Sequence, residues 1–489
     1  MMRITGLASG IDTESIVKQL MEAHRIPQTK LVQQKQILEW QRDDYRTVNS
    51  KILEFRNLMF DMTLSATYNK KSVTISNDSA FSATAAGNAP EGSYSIKVKQ
   101  LARAASLISN ELDVKDNVIL DRNTQLKDLN GFINGTNFTV NGIDIEITEE
   151  NTISDFVSSI NAVKSETGVS VSFDESLGRL FFTTDATGQD ASIKLGSENA
   201  NFLKALGLTE LETKEVVKQG ENAVVEFNGT ELEFSSNSFT INGIQIQAKA
   251  VQDTEVFVTV NHDAEAIFNQ VKKFVDTYNE MIELINGELS ERRFRNFPPL
   301  TEEQKKEMTE REIELWEERA RSGMLRGDHL LSSALDSFRR ALSSQVEGLP
   351  EGAISHLSEI GIKTGAWTEK GKLHIDEQKL RDAIAKNPDE VAALFRAKDG
   401  DTKGIAVQLV EQADRVIRSI VDKAGREGSV NTQYELGKRI DDVDDRLSNM
   451  ERKLIDLENR YYHQFTVMEK YISQMNSQSM WLMQFFGGM

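Results

Sequence analysis

Two long stretches, one toward each end of the chain, repeat their apolar positions every seven residues. Toward the C-terminus one row runs Ile440, Leu447, Leu454, Tyr461, Met468, Met475, and a second runs Leu436, Val443, Met450, Leu457, Gln464, Tyr471. Toward the N-terminus the rows are Leu31, Leu38, Tyr45, Ile52, Met59 and Gln34, Gln41, Val48, Phe55, Met62. A sustained 3.5-residue period buries a narrow seam against a partner helix in a left-handed supercoil. The flanks say which helix that partner is. The e positions are Lys35, Arg42, Asn49 and Arg56 in the first stretch, and Asp444, Glu451 and Glu458 in the second. Antiparallel helices set e against e, so the pattern predicts one antiparallel coiled-coil stalk built from both termini. Its seam would be Leu38, Tyr45, Ile52, Leu436, Ile440, Val443, Leu447, Leu454 and Leu457. Each exposed charge pair is worth only about 0.3 kcal/mol, so the charges set register more than stability.

The C-terminal stretch changes character as it ends. Beyond Lys470 the remaining nineteen residues carry no charge, and Trp481, Phe485 and Phe486 lie among them. One reading packs this tail on its own stalk. The favoured reading buries it against other subunits, because uncharged aromatic ends of an acidic chain seek partners. At the other end, Asp12 is a good N-cap, Ile11 can staple onto Ile16, and Ile16, Val17, Leu20 and Met21 form an apolar stripe. Pro27 is expected to end or bend that helix.

From about residue 70 the period becomes two. Tyr94, Ile96 and Val98 share one face of a half-buried strand. Phe138-Thr-Val-Asn-Gly-Ile-Asp-Ile-Glu-Ile147 returns as Phe239-Thr-Ile-Asn-Gly-Ile-Gln-Ile-Gln-Ala248. Asn-Gly between alternating apolar runs is a strong type I′ hairpin signal. Further strands are expected at 169–173, 179–183, 223–227 and 256–260, with small helices at 152–163 and 200–206. Helix then returns at 264–285. Thr301 and Gln304 form a capping box opening a charged helix to about 322, 361–373 is a turn-and-strand excursion, and 376–395 is helical.

The fold class is therefore multidomain α+β, with two β-rich head domains inserted between the halves of a helical stalk. The expected division is 1–30 plus 466–489 as flexible terminal contact segments and 31–69 plus 263–465 as the stalk or leg domain. The head would comprise 70–125 plus 222–262, and 126–221.

Composition narrows the chemistry. The chain has 489 residues, a net charge of −19 and no cysteine. An acidic surplus offers nothing to neutralise phosphates, which argues against nucleic acid. Without cysteine there are no disulfides and no thiol chemistry. No run of apolar residues is long enough to span a membrane. Residues 1–10 lack the apolar core of a signal peptide, which leaves the cytosol or export without a cleaved signal. The six histidines are scattered. Asp399-Gly-Asp-Thr-Lys-Gly404 begins like a calcium loop, but it has Lys403 fifth and Val410 twelfth, where the bidentate carboxylate belongs. No catalytic constellation, metal site or cofactor is expected.

Taken together these residues resemble the hook-associated protein 2 family of flagellar filament cap proteins. The resemblance rests on Gly6-Leu-Ala-Ser-Gly-Ile-Asp-Thr-Glu-Ser-Ile-Val-Lys-Gln-Leu-Met21, on 459–476, on the Val-Asn-Gly and Ile-Asn-Gly repeats, and on 92–102 and 371–380. It implies a non-enzymatic, ring-shaped homo-oligomer, a pentamer being one such ring, at the distal tip of the flagellum outside the cell. Flagellin would be its partner, with an export chaperone before secretion. It further implies filament and subunit contacts at Gly6, Gly10, Ile11, Ile16, Leu20, Tyr461, Phe465, Met468, Tyr471, Ile472, Met475, Trp481, Phe485 and Phe486. Rival readings are a junction or flagellin paralogue, and an adhesin at the flagellar tip.

Overall fold

In a computed structural model, which describes residues 12–210, 213–399 and 402–486, the chain mixes helix and sheet. It divides into two compact units, Met1–Tyr68 with Ala264–Met489, and Asn69–Asp263.

The first unit is helical. Helix α1 (Thr13–Asp61) opens where the Asp12 side chain accepts from the Ser15 amide at 3.0 Å. Ile11, the other half of the expected staple, lies outside the described residues. Pro27 does not end this helix, which runs straight through it. The missing N–H falls on a stretch, 22–27, that is exposed throughout, so no buried carbonyl is left without a partner. After a single helical turn at Ser65–Tyr68, the longer helices are α2 (Ala264–Ser290), α3 (Glu302–Lys306), α4 (Glu310–Arg321), α5 (His329–Ser343), α6 (Glu377–Lys386), α7 (Pro388–Arg396), α8 (Ile405–Ala424) and α9 (Glu435–Phe486).

Two expected helices are each split. The segment after Thr301 stops at Lys306 because a second capping box, Thr309 with Glu312, starts a new helix three residues on. The segment 376–395 breaks at Asn387, since Pro388 cannot donate and instead opens α7. The core gathers Tyr45, Val48, Ile52 and Phe55 of α1 with Phe274 and Tyr278 of α2, Phe338 of α5, Leu409 and Ile420 of α8, and Ile440 of α9. Phe55 is its hub, with ring centroids 5.9 Å from both Tyr278 and Phe338 and 6.4 Å from Phe274.

The second unit holds the sheets of three or more strands. An antiparallel five-stranded sheet runs in the order Lys71–Ile75, Val256–His262, Gly92–Gln100, Ala223–Phe227, Thr230–Phe234. It shares a core with the three-stranded sheet of Ser238–Ile241, Ile244–Ala248 and Phe81–Ala85, built on Phe81, Ile96, Val98, Val225 and Val258. A separate core joins Phe138, Phe156, Phe182 and Phe202, beneath the helix Ile153–Ala162. Both expected hairpins turn with positive φ at Asn and Gly: 50° and 84° at Asn141-Gly142, 54° and 79° at Asn242-Gly243. These are type I′ values, which Asn and Gly tolerate. A third such turn, Asn228-Gly229, joins Ala223–Phe227 to Thr230–Phe234 and is missing from the sequence reading, although Leu232 and Phe234 alternate there with Glu231 and Glu233.

Candidate assembly surfaces

The surface that concerns function begins where α1 meets α9. Lys35 Nζ lies 2.7 Å from Asp444, Arg46 stands over the Tyr434 ring at 5.6 Å, and His24 Nε2 is 3.2 Å from the Tyr461 hydroxyl. Along these contacts one helix number rises as the other falls, so the two run antiparallel. Only the first is an ion pair of the expected kind. Arg42 bonds its neighbour Asp43, Arg56 bonds Asp414 of α8 at 2.9 Å, and the Asn49 side-chain oxygen is buried without a hydrogen-bond partner. The register explains the correction. With Lys35 opposite Asp444, position 42 faces 437, so Arg42 and Glu451 are fourteen residues apart, about 21 Å along the helix. Higher on α1 the neighbour is no longer α9 alone, because α2, α5 and α8 enclose the helix.

The predicted seam residues fall into two groups. Leu38, Tyr45, Ile52, Leu436, Ile440 and Val443 are at most 2% exposed and belong to the large core, with Leu447 packed at its edge. Leu454 and Leu457 belong to a small satellite cluster with Val17 and Met21, flanked by Met450, Tyr461, Tyr462 and Phe465. Beyond it α9 is mostly exposed, although Glu469 is 3% exposed. Met468 and Ile472 are half-buried, whereas Tyr471, Met475 and Trp481 are 65%, 68% and 61% exposed. On α1, Ile16 and Leu20 are likewise exposed. Gly6, Gly10 and Ile11 lie outside the described residues, as do the side chains of Phe485 and Phe486.

The sequence reading missed other surfaces. Between α2 and α5 the chain makes an excursion, α3 and α4, held against α1. Gln33 and Gln41 donate to the Pro299 and Met324 carbonyls, Arg321 pairs with Asp44 at 3.1 Å, and Trp316 Nε1 donates to Pro298 O at 2.7 Å. Under this strap, burial pushes the Glu288 carboxyl up to about 7; Asp44 and Glu291 add repulsion, and Arg321 offsets only part of it. A groove of about 790 Å3 between α5 and α8 carries Arg340 and Arg415 on its rim. Seventy-five residues separate these arginines, so no local pattern announces them. Trp367, 89% exposed, tips the hairpin of Ile362–Thr364 and Leu373–Ile375.

Among the described residues no group of His, Asp and Glu is arranged to hold a metal ion, and no helix is long and apolar enough to cross a membrane. A paired helical shaft whose far end exposes apolar side chains defines a class: proteins whose working parts are contact surfaces.

Comparison with known proteins makes the class particular. Residues 220–477 match the C-terminal model of flagellar hook-associated protein 2, residues 9–105 match its N-terminal model, and 133–186 match the flagellin hook IN motif. The flagellar hook-associated protein 2 of Halalkalibacterium halodurans is 32% identical over 99% of this chain and 100% of its own length. That of Escherichia coli K12 is 26% identical over 98% and 97%. The fold resembles the D1-D2-D3 crystal structure of the Escherichia coli flagellar cap protein FliD, with a TM-score of 0.57 at 24% identity, covering 82% of this chain and 99% of that one. The chain belongs to the flagellar hook-associated protein 2 family, and its role is structural, at the cap of the flagellar filament.

Proposed function

We propose that the chain works as a ring-shaped homo-oligomer on the distal, extracellular end of the filament, where it retains exported flagellin and promotes its folding and insertion. In this reading α1 and α9 form a coiled-coil stalk. The segments 1–30 and 466–489 touch the filament, and 31–69 with 263–465 forms the leg. The unit Asn69–Asp263 supplies the plate through two modules, 70–125 with 222–262 and 126–221. A pentameric ring, a chaperone before export and passage without a cleaved signal belong to the same proposal.

The observation that carries it is the end of α9. Beyond Phe465 most of α9 is exposed, Glu469 at 3% being an exception, and the helix continues with Tyr471 and Met475 facing water. Apolar side chains on an otherwise uncharged helix lose free energy on burial, so they favour a partner surface. A leg that must step along a growing filament needs contacts of this moderate, reversible kind and no reacting group.

Truncation after Asn459 tests the reading in a motile strain. The head unit should stay folded by circular dichroism while filaments shorten and monomeric flagellin appears in the medium. Normal filaments from the truncated chain would refute it.

A further inference from the structure

The chain is strongly acidic, which makes one basic surface conspicuous. The groove between α5 and α8 has a floor of small or apolar side chains, Ala334 and Val416 with Ser333 and Ser419, and a rim of Arg340 and Arg415. Neither arginine has a carboxylate within ion-pair distance among the described residues; Arg340 donates only to the Ser337 hydroxyl, at 3.2 Å. The acids nearby are already engaged. Asp328 accepts from Tyr45, Asp414 from Arg56, and Glu411 from Lys403. From His329 to Arg340 and from Gln412 to Lys423 the walls rise about 16 Å each, and their small floor lets a helix approach closely.

The complementary shape occurs on the same unit. Helix α4 has twelve residues, about 18 Å. Ile313, Trp316 and Ala320 face inward, the last fully buried. Glu310, Glu314 and Glu318 follow at i, i+4 and i+8 on the outer face, beside Leu315, which is 43% exposed. Glu310 and Glu318 have no ion pair among the described residues.

We propose that α4 of one copy docks in the α5–α8 groove of the next copy. The contact joins two different surfaces of one chain, so it is heterologous, and a heterologous contact repeated around an axis closes a ring. Leu315 would anchor on the Ala334–Val416 floor, while Glu310 and Glu318 meet Arg415 and Arg340. The inference rests on the ring reading and gives it a specific leg-to-leg contact.

The test uses the full chain, followed by sedimentation velocity across concentration and salt. Arg340→Glu with Arg415→Glu should weaken self-association roughly tenfold to a hundredfold near physiological salt, as should Glu310→Arg with Glu318→Arg. The four changes together should restore it. Because the chain has no cysteine, Leu315→Cys with Ser337→Cys should also give a ladder of covalent oligomers on oxidation. Unchanged association in both double variants, with folding intact, overturns the contact and leaves the ring reading standing. Loss without rescue in the fourfold variant, or loss of flagellin binding with association intact, assigns the groove to another partner and equally overturns it. Wild-type chain that stays monomeric at every concentration overturns the ring reading itself, and this proposal with it.

Discussion

The lower and upper halves of α1 belong to one continuous helix and live in different surroundings. Around Val17 and Met21 the helix has a small cluster, supplied largely by α9, and both neighbours at 16 and 20 face water. Around Val48, Ile52 and Phe55 it has α2, α5 and α8 as well as the start of α9, and these three residues are fully buried. One helix thus meets several partners at one end and chiefly one at the other. The cost of breaking the helix should differ accordingly between the halves.

The largest expected effect separates them directly. Phe55→Ala removes a ring that touches three other aromatic side chains and should cost about 4 kcal/mol, lowering the melting temperature of the helical unit by about 10 °C. Met21→Ala should leave that temperature within about 1 °C, because the lower half opens locally. Its effect should appear as faster amide hydrogen exchange across 13–31. Equal shifts in melting temperature for the two variants would mean that α1 is one uniform cooperative rod.

A smaller effect reports on the charges under the strap. Glu288 has an ordinary value near 4.3 in the unfolded chain and about 7 when folded. Between those values the folded chain holds a proton that the unfolded chain has lost, so stability is fullest below about pH 4.3 and falls as pH rises to 7. Glu288→Gln should therefore raise the melting temperature by about 2 °C at pH 8, after allowance for solvent screening. By pH 5 the advantage should be largely gone. A gain independent of pH would remove Glu288 as its source.

The smallest effect sharpens the register. Asp444→Ala should cost less than about 0.5 kcal/mol in chemical denaturation, because both partners of its pair with Lys35 are partly in water. Cysteines at 35 and 444 should be joined by a short bismaleimide, and cysteines at 42 and 451 should not. The reverse result would move the helices by two heptads.

What the sequence made legible follows from range. Alternation, capping residues and Asn-Gly turns act within a few positions, so the strands at 169–173 and 223–227, the cap at Asp12 and the turns at 141–142 and 242–243 were readable. Two local signals were outweighed. Pro27 was tolerated because its stretch is solvent-facing, and the second capping box at Thr309 overrode a continuous charged pattern. The rest depends on residues far apart in the chain. Arg56 finds Asp414 on α8 instead of a residue on α9, and the α5–α8 groove exists only once two distant helices pack side by side. No spacing rule within a single segment reports such meetings.

The pairing of the two chain ends also imposes an order on folding. The lower half of α1 is made first and meets Met450, Leu454 and Tyr461 only after more than 400 further residues have appeared. Its upper half can pack on α2 well before that. Closing so long a loop for so few contacts is entropically unfavourable at an early stage. The shaft should therefore zip downward from a core that already exists, and the earliest-made residues of this helix are the last to settle.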